Sequence, residues 1–65
     1  MGETVWVDVE IKRNRNTDNA ILINDGKRNV WIPRSQVLDQ DDDLDEGLHT
    51  RIEIPEWFAI KEDLV

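Results

Sequence analysis

The densest group of chemically active residues in this chain is a run of carboxylates. The stretch Asp39-Gln40-Asp41-Asp42-Asp43-Leu44-Asp45-Glu46-Gly47 holds six acidic side chains. Mutual repulsion keeps such a run in water, so we predict an acidic loop over 39–47. The alternating aspartates resemble the start of a calcium loop, but Leu44 and Thr50 stand where an EF-hand needs glycine and glutamate. An EF-hand is therefore excluded and we predict no dedicated metal site. Three interpretations stay open: weak adventitious calcium binding, a merely solvated loop, or an acidic surface that imitates a phosphate backbone.

The groups that enzymes use for catalysis are sparse. His49 is the only histidine, and the sequence gives it no obvious carboxylate or nucleophile as a catalytic partner. The chain has no cysteine, and Gly2, Gly26 and Gly47 lie too far apart to form a phosphate-binding loop. A chain of 65 residues also has little room to enclose a substrate pocket of ~300 Å³. We predict that the protein is not an enzyme and uses no cofactor.

Basic residues in the first half suggest a different activity. Trp6 would offer a stacking platform for bases, with cations around it at Lys12, Arg13, Lys27 and Arg28. The net charge of −7 opposes binding to nucleic acid. This charge is uneven, because residues 1–37 carry six basic and five acidic side chains (+1) and residues 38–65 carry two and ten (−8). The acidity is therefore concentrated in the second half of the chain.

The elements that would position these groups are mostly strands. In the first strand, Val5, Val7, Val9 and Ile11 alternate with polar residues and should face the core, while Trp6 faces the other way. Asp25-Gly26 between two apolar runs predicts a hairpin. We predict strands over 4–12, 20–23, 29–32 and 48–54, a helical turn or a short bridge over 35–38, and a helix over 55–62.

These elements indicate a mainly β single domain, 1–65, made of a small four- to five-stranded bent antiparallel sheet and a short C-terminal helix. An SH3-like or OB-like barrel is the first choice of architecture, and an open sheet with the helix on one face is the alternative. Structural roles are predicted for Trp31, Pro33, Pro55 and Trp57, with Trp57 closing one end of the sheet. No apolar run reaches the ~20 residues of a membrane span. The absence of a signal-like start or cysteine indicates a cytoplasmic protein.

Two tryptophan motifs connect the chain to a known group of proteins. Trp31-Ile32-Pro33-Arg34-Ser35-Gln36 precedes Ile54-Pro55-Glu56-Trp57-Phe58. Over about residues 18–65 the chain resembles small phage and prophage proteins with a tryptophan-hydrophobic-proline-lysine-serine-glutamine motif and a later hydrophobic-proline-glutamate-tryptophan segment. Arg34 replaces the lysine of that motif, and Phe58 replaces a leucine. The resemblance implies a phage origin, an accessory role in a bacterial host, and no catalytic residue.

Three hypotheses for function follow. The first is an accessory protein that binds a basic protein surface and inhibits a nucleic-acid-processing or defence complex. It would use the acidic side chains of the loop: Asp39, Asp41, Asp42, Asp43, Asp45 and Glu46. The second is an OB-like module that binds single-stranded nucleic acid through Trp6 and its neighbouring cations. The third is a structural module that oligomerises through edge-to-edge pairing of the first strand.

Overall fold

The chain folds into one antiparallel sheet with a short helix packed on it. The computed structural model describes residues 2–65, and Met1, which the predicted domain includes, lies outside the described residues. The strands are β1 (Thr4–Arg13), β2 (Ala20–Asn24), β3 (Asn29–Pro33), β4 (Asp39–Gln40) and β5 (His49–Pro55). A 3-10 turn (Arg34–Gln36) precedes β4, and the helix α1 (Glu56–Lys61) follows β5. The mainly β architecture predicted from the sequence is confirmed.

The sheet is strongly bent but does not close. Its strand order is β3-β2-β1-β5-β4, so β3 and β4 are its two edges. The chain passes from one edge to the other between Pro33 and Asp39, which lie six residues apart. Six extended residues reach ~20 Å and a flat five-stranded sheet is ~19 Å wide, so a link that also contains a 3-10 turn requires a bent sheet. The open sheet is thus correct, and the barrel, our first choice, does not form.

The core lies on one face of the sheet, as the alternation predicts. Val7, Val9 and Ile11 of β1 are buried, while Val5 at the start of the strand is only partly buried and packs against the core. The other strands and α1 add buried apolar residues: Ile21, Ile23, Val30, Ile32, Ile52, Ile54, Phe58 and Ala59. Val37 and Leu44, from the segments on either side of β4, pack against this cluster.

The two prolines lie at strand ends for different reasons. Pro33 is the last residue of β3 and pairs with Ala20. It is tolerated there because β3 is an edge strand and proline donates no ladder hydrogen bond. Pro55 is the last residue of β5 and the N-cap of α1, which begins at Glu56 and not at Pro55 as predicted.

The predicted role of Trp57 is wrong. Its side chain is 55% exposed, and the next two residues, Phe58 and Ala59, enter the core instead. The turn from β5 into α1 directs this pair inward, because a short helix can bury only one stripe of its surface. Trp57 contacts the edge of Phe58, with ring centroids 5.7 Å apart. Trp31, on the outer face of β3, is also half exposed at 49%.

The position of β1 in the sheet limits the third hypothesis. β1 lies between β2 and β5 in the strand order, but it pairs with β5 from Thr4 to Glu10 and with β2 only from Glu10 to Arg13. Pairing through its β5 side is therefore not available, whereas its first half is paired with no residue of β2. The two outermost strands of the sheet are β3 and β4.

Candidate functional site

The outer face of the sheet, away from the core, carries the charged residues of β1 and β5. Asp8 lies opposite Arg51, and Glu10 lies opposite His49. On the other side of β1, Asn24 of β2 lies opposite Glu10. This region is concave, and residues of β1, β5, the β2–β3 turn and the acidic loop line it.

This concavity is an acidic depression of about 560 Å³. It is lined by carboxylates from β1, from the β2–β3 turn and from the acidic loop: Asp8, Glu10, Asp25, Asp41 and Asp42. His49 and Arg51 are the titratable bases in its lining. The sequence argument against an enclosed pocket did not foresee this open depression, which forms between strands and turns and needs no interior space.

The first part of the acidic loop is bonded to β5. The Asp41 carboxylate accepts a hydrogen bond from Arg51 Nε at 2.7 Å, and Asp42 accepts one from the Thr50 hydroxyl at 3.1 Å. The backbone N–H of Asp41 also donates to the Arg51 carbonyl at 3.1 Å. These bonds fix Asp41 and Asp42 at the rim of the depression. Asp41 in turn raises the pKa of Arg51, through its hydrogen bond and its charge.

The second part of the loop is bonded to the end of β1. The side-chain amide of Asn14 donates to the Leu44 carbonyl at 2.6 Å, and the backbone N–H of Asn14 donates to the Glu46 carboxylate at 2.9 Å. Arg15 pairs with the same carboxylate at 3.2 Å. Gly47, at φ 90°, donates its N–H to the Ile11 carbonyl at 2.7 Å. The loop is thus held at both ends, which its composition did not reveal.

Acid should weaken the second attachment. The hydrogen bond from the Asn14 N–H, followed by the hydrogen bond and charge of Arg15, lowers the pKa of Glu46 below its ordinary value of 4.5. The folded state therefore gains stability from this carboxylate above pH 4.5 and loses it as the pH falls through the lowered value. We expect the urea midpoint of the wild type to fall further than that of Glu46→Gln between about pH 5 and pH 3. Circular dichroism would monitor the unfolding. Urea midpoints that fall equally with pH in the wild type and in Glu46→Gln would contradict this attachment.

The remaining predicted partner-binding carboxylates lie outside the depression. Asp39 is on β4 opposite Glu53, and its carboxylate accepts a hydrogen bond from the Gln40 N–H at 2.8 Å. Asp43 and Asp45 are exposed on the loop. Within residues 2–65, neither of these two side chains has a hydrogen bond or an ion pair. The six predicted residues therefore divide into two at the depression and four beside it.

Trp6 is partly covered by a cation of its own chain. The Arg51 guanidinium lies 5.3 Å from the centre of the indole ring, while its Nε binds Asp41. Trp6 remains 41% exposed. A base that stacks on this face would have to displace Arg51, which is an obstacle for the nucleic-acid hypothesis.

The other predicted nucleic-acid-binding residues are not brought together. Lys12 and Arg13 end β1 beside the middle of β2, whereas Lys27 and Arg28 lie in the turn beyond its far end. Lys12 pairs with Glu10 at 3.4 Å, and Arg13 pairs with Asp18 at 3.1 Å. Arg28 donates to the Glu62 carbonyl. Three of the four cations thus contact carboxylates or a carbonyl of the same chain, and the four do not form one basic groove.

His49 lies at the rim of the depression without an organised catalytic partner. Its side chain is 80% exposed, and its Nε2 is 3.9 Å from the Glu10 carboxylate, which also binds Lys12. Among residues 2–65, no three histidine, aspartate or glutamate side chains are arranged to hold a metal ion. The depression is thus a charged surface that carries both acidic and basic side chains.

Sequence reasoning missed Asp8, Glu10 and Asp25 as part of the site. The alternation of β1 already placed Asp8 and Glu10 on its polar face, and Asp25 was assigned only a turn role. What the sequence lacked was the register that places β1 beside β5 and the loop. Asp25 keeps its turn role as well, since Lys27 and Arg28 donate backbone N–H groups to it at 2.8 and 2.9 Å, which lowers its pKa.

Comparison with known proteins gives no further guide to the site. No protein-family model matches the chain, and neither curated proteins nor solved structures gave a significant match. Between residues 2 and 65, no helix is both long enough and apolar enough to cross a membrane.

Proposed function

We propose that this chain is a non-enzymatic accessory protein of phage type that binds a basic protein surface in the cytoplasm of a bacterial host. The acidic depression is the binding surface, and Asp41 and Asp42 belong to its rim. The partner is a protein whose Arg/Lys-rich surface otherwise holds nucleic acid, such as a nucleic-acid-processing or defence complex, and binding inhibits it. The phage origin rests on the resemblance of the two tryptophan motifs.

The observation that carries the proposal is the convergence of carboxylates on one concave surface. Asp8 and Glu10 come from β1, Asp25 from a turn, and Asp41 and Asp42 from a distant loop. Arg51 is already paired with Asp41 and stacked on Trp6, so it neutralises only part of this charge. A concave surface of one sign concentrates the electric field and attracts ligands of the opposite sign.

The chemistry of the depression favours guanidinium and ammonium groups on a protein. Carboxylates accept hydrogen bonds from arginine in a bidentate geometry, and such pairs are stronger than neutral hydrogen bonds. Phosphate groups would be repelled from the same surface. Because the surface is open to solvent, the attraction should be screened by salt and should act largely on the rate of association.

The test is a pair of charge-matched variants. Asp8→Asn/Asp42→Asn removes two charges from the depression, and Asp43→Asn/Asp45→Asn removes two charges from the loop beside it. Partners would be captured on immobilised wild type from infected or lysogenic bacteria. Each captured protein would then be titrated by calorimetry with the wild type and both variants. We expect ~10-fold weaker binding for the first variant and less than ~3-fold for the second.

The proposal requires two further results. The affinity for the captured partner should fall steeply as the salt concentration rises, and DNA should compete with this chain for that partner. If both variants lose affinity equally, net charge and not the depression is responsible. If neither loses affinity, the acidic surface is not the binding site.

A further inference from the structure

The edge strand β3 offers unsatisfied backbone groups along an uncharged stretch. It runs Asn29-Val30-Trp31-Ile32-Pro33, and no other strand lies on its outer side. Exposed edges of this kind accept another strand, and proteins usually block them with charges, bulges or very short strands. The opposite edge is blocked in this way, since β4 has two residues and begins with Asp39. On β3 the one residue that hinders pairing with another strand is the proline at its end.

The register shows which backbone groups of β3 are free. The Arg34 N–H donates to the Asn19 carbonyl, and the Asp25 N–H donates to the Arg28 carbonyl. Hydrogen-bonded pairs alternate along an antiparallel ladder, so Val30 and Ile32 bond to β2. Asn29, Trp31 and Pro33 therefore direct their backbone groups away from the sheet. Pro33 contributes only a carbonyl there.

We propose that this edge binds a second copy of the chain, with β3 strands antiparallel about a two-fold axis at Trp31. In this register each Trp31 N–H donates to the Trp31 carbonyl of the other copy. Each Asn29 N–H donates to the carbonyl of the opposite Pro33. The N–H that proline lacks would therefore be missed only at the two ends of the paired strands. The two sheets become one continuous sheet. The interface is separate from the acidic depression and does not rest on the proposed function.

The side chains of the outer face fit this register. Trp31, 49% exposed, lies opposite Leu22 of β2 and would lie beside the Trp31 of the other copy. Aromatic pairs on neighbouring strands stabilise a sheet, and tryptophan is common at the centre of interfaces. On the other face Val30 would lie opposite Ile32, which extends the apolar core across the new pair of strands.

Charge also favours a second copy at this edge. Seven of the ten acidic residues after Leu38 lie on β4, on β5 or in the loop between them, on the far side of the sheet from β3, and the other three lie on or after α1. Pairing through β3 therefore keeps the two acidic loops apart. Arg28 and the opposite Arg34 would be neighbours, but each guanidinium is bonded to carbonyls of its own chain, at Glu62 and Asp18 respectively. Pairing through β4 would instead bring the aspartates together.

The experiment measures self-association and the exposure of one backbone amide. Sedimentation equilibrium of the full chain from micromolar to millimolar concentration should show a monomer–dimer equilibrium. Hydrogen exchange by NMR should show that the Trp31 amide becomes protected as concentration rises, while the Val30 and Ile32 amides are protected throughout. Trp31→Lys places like charges opposite each other at the two-fold axis and should weaken the dimer at least ~10-fold.

The matched control is Trp57→Lys, which makes the same change at a half-exposed tryptophan outside β3. It should leave the dimer constant within ~3-fold, and circular dichroism should show that both variants remain folded. A chain that is monomeric at millimolar concentration, with the Trp31 amide in fast exchange, overturns the proposal. Protection that appears only on addition of a different protein also overturns it, because a foreign strand would then occupy the edge.

Discussion

Truncating Phe58 to alanine is expected to remove a large part of the protein's free energy of unfolding. Phe58 is 6% exposed and is the only aromatic residue in the core cluster of the described residues. Removing a buried phenylalanine costs about 3–5 kcal/mol. A domain of 65 residues has a free energy of unfolding of roughly 3–10 kcal/mol. One substitution thus removes between about a third and all of this stability.

The neighbouring residue supplies the control. Trp57→Ala removes a larger side chain, but one that is 55% exposed, so it should cost about 1 kcal/mol, mainly through its edge contact with Phe58. Urea unfolding followed by far-ultraviolet circular dichroism would compare the two variants with the wild type. A larger loss of stability for Trp57→Ala than for Phe58→Ala would show that Trp57, and not Phe58, packs into the core.

Arg34→Ala should produce the second large effect, by releasing the connection between β1 and β2. The Arg34 Nε donates to the Asp18 carbonyl at 2.8 Å, and its Nη2 donates to the Arg15 carbonyl at 2.5 Å. These bonds act together with those from Asn14 and Arg15 to the acidic loop in holding this polar segment. Hydrogen bonds from a charged group contribute about 1.5–3 kcal/mol, and because one of these is exposed we expect a loss of about 1–3 kcal/mol.

Arg34→Lys separates the geometry of the guanidinium from its charge. A lysine ammonium keeps the charge but lacks the planar fork that reaches two carbonyls, so this variant should lie between wild type and Arg34→Ala. Lys27→Ala, at an exposed turn position, should change stability by less than about 0.5 kcal/mol. Hydrogen exchange should also speed up at the Asp18 amide in Arg34→Ala. Equal stability of the arginine and lysine variants would assign the effect to charge alone.

The strands and their buried faces were predictable from sequence because they depend on neighbouring residues. Alternation alone placed Val7, Val9 and Ile11 in the core, and Asp25-Gly26 marked the hairpin, where Gly26 has a φ of 100°. The helix was less predictable. Its spacing identified an apolar stripe, but whether Trp57 or Phe58 faces inward depends on the turn that connects α1 to β5, and that turn is fixed by tertiary packing.

The site itself was only half predictable. The acidic loop is evident in the sequence, yet its place in the fold depends on bonds to Thr50 and Arg51 of β5 and to Asn14, which is distant along the chain. Sequence also could not show that β1 pairs with β5, which brings Asp8 and Glu10 to the loop. The same missing register explains why Lys12 and Lys27 were predicted to lie close together. Their separation along β2 follows only from the pairing of β1 with β2.

The central position of β1 also determines the order in which the chain can fold. β2 and β3 pair locally and can form a hairpin within microseconds. β1, however, needs β5 as its second neighbour, and the pair Thr4↔Pro55 joins residues from opposite ends of the described chain. Closing so long a loop is slow and entropically costly before the contacts form. β1 must therefore wait until β5 has been synthesised, and the core assembles in a single late step.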